Sequence, residues 1–405
     1  MLPSPQLWSR YLWWAAASMF ALIAAVGALN VCIDALGVFG APRIRGVNAQ
    51  KPYLDHHREL ARWSAAQRIC PDAAIFGNSR AEIGFDPEHP LFAARGLSAF
   101  NHSIPGERAH LAYRQINWLN AAGCKPKLIL LGVEFFDFLG RTQPPSPIGF
   151  TPDRRPQVDQ RFFAETVFSL NGLRDSLDTV LLQRSRHPAI LTERGFNPLQ
   201  NYEGEIERGG HYALFRQRAE ESVRIWQGRS KRLHAAGGGV LQDEQAVDAI
   251  LTQAGQGDSR VLLVIYPYHA QLRLLIERLG LGGLFADWKK SIVVMAMRHA
   301  ARGVKVEVWD FSGIAPETSE AIPAKGDRHT RLEYFWEAGH FKKSLGDKAI
   351  ARMLGEPHSF GIKLDAANIE QWLAADRAAV QALLAAPSPL RAEVDDMVAR
   401  ARATR

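Results

Sequence analysis

From Leu12 to Ile33 the chain reads LWWAAASMFALIAAVGALNVCI, twenty-two residues without a charge. No other feature of the sequence restricts the backbone as much. In lipid every N–H and C=O of a lone segment must be satisfied within it, which leaves only a helix. At 1.5 Å per residue the run reaches about 33 Å, enough to cross a bilayer core. Trp13 and Trp14 lie near one end, where interfacial aromatics are favoured. A buried core helix would show a polar face, and this run has none. A cleaved signal peptide is the other alternative, with Val26-Gly27-Ala28 as its small-residue site, but the run is long for such a leader. The expectation is an uncleaved anchor over 11–33 with a short cytoplasmic tail, 1–10. The rest of the chain would then be exported, giving a single-pass inner-membrane protein with a periplasmic domain. Arg43, Arg45 and Lys51 come after the span, so the positive-inside count does not choose the orientation.

The remaining sequence can fill a large core. The chain has 405 residues, 47% of them hydrophobic and 22% charged, which excludes a disordered or multi-span protein. Its net charge of +7 is spread out, with no run of five basic residues, so no nucleic-acid footprint is present. The mild excess suits an anionic neighbour, either phospholipid headgroups or an acidic polymer. Residues 34–56 read as a Pro/Gly-containing linker. Strands are then predicted at Ala73–Gly77, Ser98–Asn101, Lys127–Gly132, Arg260–Tyr266 and Val304–Trp309, with helical patterns between them. KLILLG and RVLLVIY are continuous β-rich runs, as in strands covered on both faces. Alternation of this kind predicts an α/β fold, a doubly wound five-stranded parallel sheet in the flavodoxin-like order 2-1-3-4-5. It occupies 57–139 and 259–360. A helical insertion, 140–258, separates strands three and four, and 361–405 form C-terminal helices.

Reactive groups in open α/β sheets gather at the carboxyl ends of the strands. Strand one ends in IFGNSRAEIGFDP, which has neither a dinucleotide nor a phosphate-loop pattern. Ser79 there is either a nucleophile or the N-cap of the next helix, a place where Ser is favoured. Strand two runs into Asn101 and Gly106, strand three into Gly132 and Glu134, strand four into YPYHA with His269, and strand five into Asp310. Glu337 and His340 come next, three residues apart.

In this order the motifs resemble the SGNH (GDSL-like) esterases and acyltransferases. Gly77-Asn78-Ser79 matches the nucleophile block, Gly106 the glycine of the second block, and Glu337-Ala338-Gly339-His340 the last block, with Glu for the usual Asp. The anchor, GFDP, YPYHA, WDFS and HFKKSLGDKAI narrow the resemblance to membrane-anchored members linked to exopolysaccharide O-acetylation. It implies a Ser79–His340–Glu337 triad and an oxyanion site of the Ser79 and Gly106 backbone N–H groups. It also implies a polysaccharide acceptor and an acyl donor delivered by a membrane acyltransferase. The family's third block supplies an Asn that donates to the oxyanion; this chain has Gly132-Val133-Glu134, and an ionised Glu accepts but does not donate.

Other polar residues have two readings each. Arg80 either contacts substrate or pairs with Glu82 or Asp86. Glu134 accepts from a sugar hydroxyl or from the fold. His269 enters a helix or touches substrate, and is the reserve base. Asn101 is a substrate contact, and Asp310 fixes a loop. No metal-ligand spacing and no cofactor motif are seen. Cys70 precedes strand one and Cys124 precedes strand three; these neighbours would start at the same sheet edge, either as a disulfide or as two small buried residues. Cys32 in the span is left over. The competing functional class is a non-catalytic polysaccharide-binding or scaffold protein of an exopolysaccharide assembly.

Overall fold

The computed structural model describes residues 5–140, 155–228, 231–233, 240–357 and 359–403. Most of the loop-like stretch Arg141–Pro156 lies outside them, as do the first four residues of the tail. The chain divides into two compact units. One comprises Met1–Arg68 and Arg155–Leu191, the other Ile69–Arg154 and Thr192–Arg405. The segment 140–258 is therefore shared between the two units rather than forming one inserted body.

The first unit is built on the helix Pro5–Ile33, of which Trp8–Ile33 is long and apolar enough to cross a membrane, its most apolar window having a mean hydropathy of 2.1. The segment after this helix is not a loose linker. The Asp34 carboxylate accepts from the backbone N–H groups of Val38, Phe39, Gly40 and Ala41 and curls the chain back on itself. Lys51 Nζ and Asn48 Nδ2 then donate to the Ile33 carbonyl, which the end of the helix leaves without an intrahelical partner. Leu36, Val38, Leu54, Leu60 and Ala61 form a small core there. The charge and glycine content of 34–56 gave no sign of this hydrogen-bonded turn.

The second unit holds the sheet. Its strands are β1 (Ala73–Phe76), β2 (Ala99–Asn101), β3 (Leu128–Val133), β4 (Arg260–Ile265) and β5 (Val306–Asp310). A separate hairpin of β6 (Phe335–Glu337) and β7 (His340–Phe341) comes next, and then β8 (Ile362–Leu364). The sheet has six strands rather than five, ordered β2-β1-β3-β4-β5-β8. The first five are parallel; β8 runs antiparallel to β5, with Leu364 opposite Val308. Val261 to Ile265 are all 0% exposed. Because successive side chains point to opposite faces, both faces of β4 are covered. β1 ends opposite Leu131, while β3 and β4 continue for two residues to Val133 and Ile265. The end of β1, between β2 and β3, is the point at which the strand order reverses, the position at which such sheets take ligands.

Cys70 and Cys124 form a disulfide, with Cα atoms 5.1 Å apart. The pairing results from β1 and β3 being parallel neighbours in register.

Candidate active site

At the end of β1, Asn78 takes the capping role. Its side chain accepts from the Arg80 N–H at 3.0 Å, and the helix Ser79–Gly84 starts at the next residue. Ser79 is thus released from capping, and its hydroxyl lies 2.8 Å from His340 Nε2. The other ring nitrogen of His340, Nδ1, is hydrogen-bonded to Glu337 Oε1. Residues 261 apart in sequence meet because of two local constructions.

The first is the β6–β7 hairpin. Glu337 pairs with His340 across a two-residue turn, Ala338-Gly339, so the two side chains are cross-strand neighbours. The Gly339 N–H donates to Glu337 Oε2 at 2.9 Å, and the Ala338 carbonyl accepts from the His269 N–H at 3.1 Å. His211, on the helix Asn201–Gln227, holds the hairpin at Trp336 O and at the Leu332 N–H. The second is the contact between Ser79–Gly84 and the helix after β7, Lys343–Met353. A Cβ on Gly346 would sit 1.7 Å from the Gly84 carbonyl oxygen, and one on Gly84 would enter the Phe341 ring. Only glycine at both places lets the hairpin lie against the helix that carries Ser79.

Glu337 is 2% exposed. Burial pushes its carboxyl up, but His340, the Gly339 N–H and the charge of Arg80 outweigh this and hold it below its ordinary value. The buried carboxylate is therefore kept ionised beside the imidazole. Among the described residues, the N–H groups of Ser79 and Gly106 donate to no protein acceptor. Gly106 lies in the turn from Ile104 to Glu107; the Ile104 N–H bonds to the Gly77 carbonyl, so this turn runs beside the Ser79 loop.

The polar residues around the triad serve the fold, which departs from the expectation for Asn101 and for the partner of Arg80. Arg80 pairs with Glu134, not with Glu82 or Asp86. Glu134 also accepts from the Tyr268 hydroxyl at 2.6 Å and is 6% exposed, so its oxygens serve the fold rather than a sugar hydroxyl. Asn101 is 0% exposed; its amide donates to the Ala81 and Phe85 carbonyls and its oxygen accepts from Ser103. It fixes the Ser79 helix against β2 and touches no open space, which corrects its assignment as a substrate contact. His269 enters a helix and is positioned neither as a substrate contact nor as a reserve base. It caps the helix Ala270–Arg278 through Nδ1 and meets the Glu320 carbonyl through Nε2, while burial pushes its imidazole down to about 4. Asp310 is a structural carboxylate, bonded to Ser312, Trp372 and the fully buried Lys289.

Sequence reasoning missed Tyr268 and Asp137. Tyr268 and Tyr266, which follow β4, both lie beside Glu134, whereas His269 packs against Phe215 and Phe335. Asp137 and Arg108 face each other at 3.3 Å, and Arg108 also reaches Asp243 at 3.1 Å. Burial, together with the nearby Glu134 charge, lifts the Asp137 carboxyl to about 8, against the pull of Arg108. Among the described residues no cluster of His, Cys, Asp and Glu could hold a metal ion.

No protein-family model, curated protein or solved structure matches this chain.

Proposed function

We propose that the protein is a membrane-anchored serine acyl-transfer enzyme of the SGNH type. The observation that carries this reading is the single imidazole bridging Ser79 Oγ at 2.8 Å and a buried, ionised Glu337. A serine hydroxyl is a weak nucleophile until a base accepts its proton, and the base needs its opposite nitrogen fixed.

In the first step Ser79 Oγ attacks the acyl carbonyl carbon and His340 Nε2 takes the hydroxyl proton. Negative charge develops on the carbonyl oxygen, where the Ser79 and Gly106 N–H groups are the candidate donors. The bond to the donor's leaving group then breaks, and that group takes the proton from His340. In the second step an acceptor hydroxyl gives its proton to His340 and attacks the acyl-Ser79 carbonyl. Ser79 leaves and recovers the proton. With a sugar hydroxyl as acceptor the protein is a polysaccharide O-acetyltransferase; with water it is an acetylesterase. Glu134 held by Arg80 and Tyr268 supplies no side-chain donor, and the loss of one oxyanion donor costs about 10²–10³ in rate. A slow, committed transfer fits that better than rapid hydrolysis. The exopolysaccharide acceptor, the acyl donor handed over by a membrane acyltransferase and the periplasmic placement all rest on the resemblance and the anchor.

The test is covalent labelling of the detergent-solubilised full chain with a fluorophosphonate or an activated ester. The expected product is a single adduct on the Ser79 peptide, lost in Ser79→Ala. If Ser79 does not react in a folded sample, the scaffold reading replaces this one.

A further inference from the structure

The anchor helix is bare over one part and covered over another. Residues 8–25 are exposed along their whole length, a stretch of about 27 Å at 1.5 Å per residue. Arg10 lies within it, so the uncharged bare part is shorter than the roughly 30 Å of a hydrocarbon core, and the partly covered turns up to Ile33 complete the apolar run. Covering begins at Gly27, against which the Phe168 ring and Val167 lie. Asn30 donates to the Val167 carbonyl at 2.9 Å and accepts from Ser176 Oγ at 2.8 Å. Two helices, Gln160–Val167 and Leu170–Leu182, are therefore fastened to the anchor just where its bare apolar length ends.

These helices turn apolar residues outward. Ser176 and Thr179 are buried on one side of Leu170–Leu182. On the opposite side Leu170, Leu177 and Leu181, at positions i, i+7 and i+11, are 82%, 50% and 73% exposed. Phe168, between the helices, is 52% exposed although its ring touches the anchor. In water such a stripe is unfavourable. Arg174, between Leu170 and Leu177 on the same face, is paired with Asp178, and Arg161 on the neighbouring helix is paired with Glu165, so the surface carries little net charge.

We propose that Gln160–Val167 and Leu170–Leu182 form an interfacial foot that lies in the headgroup–acyl boundary of the membrane crossed by Trp8–Ile33. The occupant of the stripe is lipid. The argument is continuity: the stripe begins at the level of the anchor where bare apolar surface stops, and an amphipathic helix fixed there enters the boundary by roughly 5–10 Å. The foot gives the anchor a second, rotationally fixed hold on the membrane. It would do so whatever chemistry the sheet unit performs.

The experiment uses the full chain, carrying Cys32→Ser, in phosphatidylcholine–phosphatidylglycerol nanodiscs. Leu170→Cys, Leu177→Cys and Leu181→Cys are each labelled with an environment-sensitive fluorophore, and Ala17→Cys marks the middle of the span. Expected for the three foot positions is a blue-shifted emission that falls when lipid spin-labelled near its headgroup is included and resists iodide in the buffer. Ala17→Cys should be quenched by lipid spin-labelled deep in its chain. Foot positions that respond to iodide and not to spin-labelled lipid overturn the proposal while leaving the anchor intact. Quenching between copies without lipid quenching also overturns it, in favour of self-association, and an Ala17 label open to iodide removes its basis.

Discussion

The three proposed catalytic side chains carry unequal loads. Ser79→Ala and His340→Ala should each abolish acyl transfer, and the double variant should be no worse than either, because the two act as a unit. Glu337→Ala should keep more activity, since its carboxylate only orients the ring and stabilises its charge. Acetate release from an activated ester by the purified chain measures all three; a silent His340→Ala removes the base assignment. Glu337 also links stability to pH. Its carboxyl is held below its ordinary value of 4.5, so the folded state binds this proton less readily than the unfolded state. That stabilisation is complete above 4.5 and is lost as the pH falls through the depressed value. Glu337→Gln should therefore lose less stability than the parent as the pH falls from above 4.5 through the depressed value, read from urea midpoints. That Ser79, Glu337 and His340 would come together was legible in their residue types and chain order. Asn101 was misread, and Glu134 and His269 were left between two readings, because residue type says nothing of direction. All three follow or end strands, yet each points into the fold.

Between elements, the candidate site depends on two backbones meeting at glycine. Gly346→Ala places a methyl group against the Gly84 carbonyl, and backbone cannot yield as a flexible side chain can. The helix Lys343–Met353 must then move away from Ser79–Gly84, carrying β7 and His340 with it. The expected result is a loss of about 1–3 kcal/mol of stability, as for other overpacked contacts. The rate constant for chemistry should fall much more than substrate affinity, since a small displacement spoils the proton path. Thermal unfolding and separate kcat and KM values check both. Strands β1 to β5 were readable as apolar runs between helical patterns. The hairpin β6–β7 and the edge strand β8 were not, because two or three residues hold no period. β8 is made a strand by the open edge of β5, and β6–β7 by the contacts of His211 and His269 with the chain around it.

At the scale of the whole molecule, a helix long and apolar enough to cross a membrane was plain from twenty-two uncharged residues, whereas the division of 140–258 between two units was not. Helical periodicity shows that an element forms but not which core it joins. The disulfide belongs to this scale because it ties the starts of β1 and β3 across 54 residues and reports the compartment. Closing a loop of that length should contribute about 4 kcal/mol, chiefly by restricting the unfolded chain. Cys124→Ser should therefore lower the unfolding midpoint, and a reductant should lower that of the parent by a similar amount. The same bond tests topology in living cells. Cytosolic thiols are kept reduced, while an exported domain meets an oxidising environment. Cells quenched in acid, denatured and treated with a maleimide polymer should show one modified cysteine, Cys32, of the three in the chain. After reduction all three should react. Three reactive cysteines before reduction would place the sheet unit on the cytoplasmic side, and with it Ser79 away from any exported polysaccharide. One reactive cysteine, together with a fluorophosphonate adduct on Ser79, would put an acyl-transfer serine outside the cytoplasm on a chain fixed to the membrane.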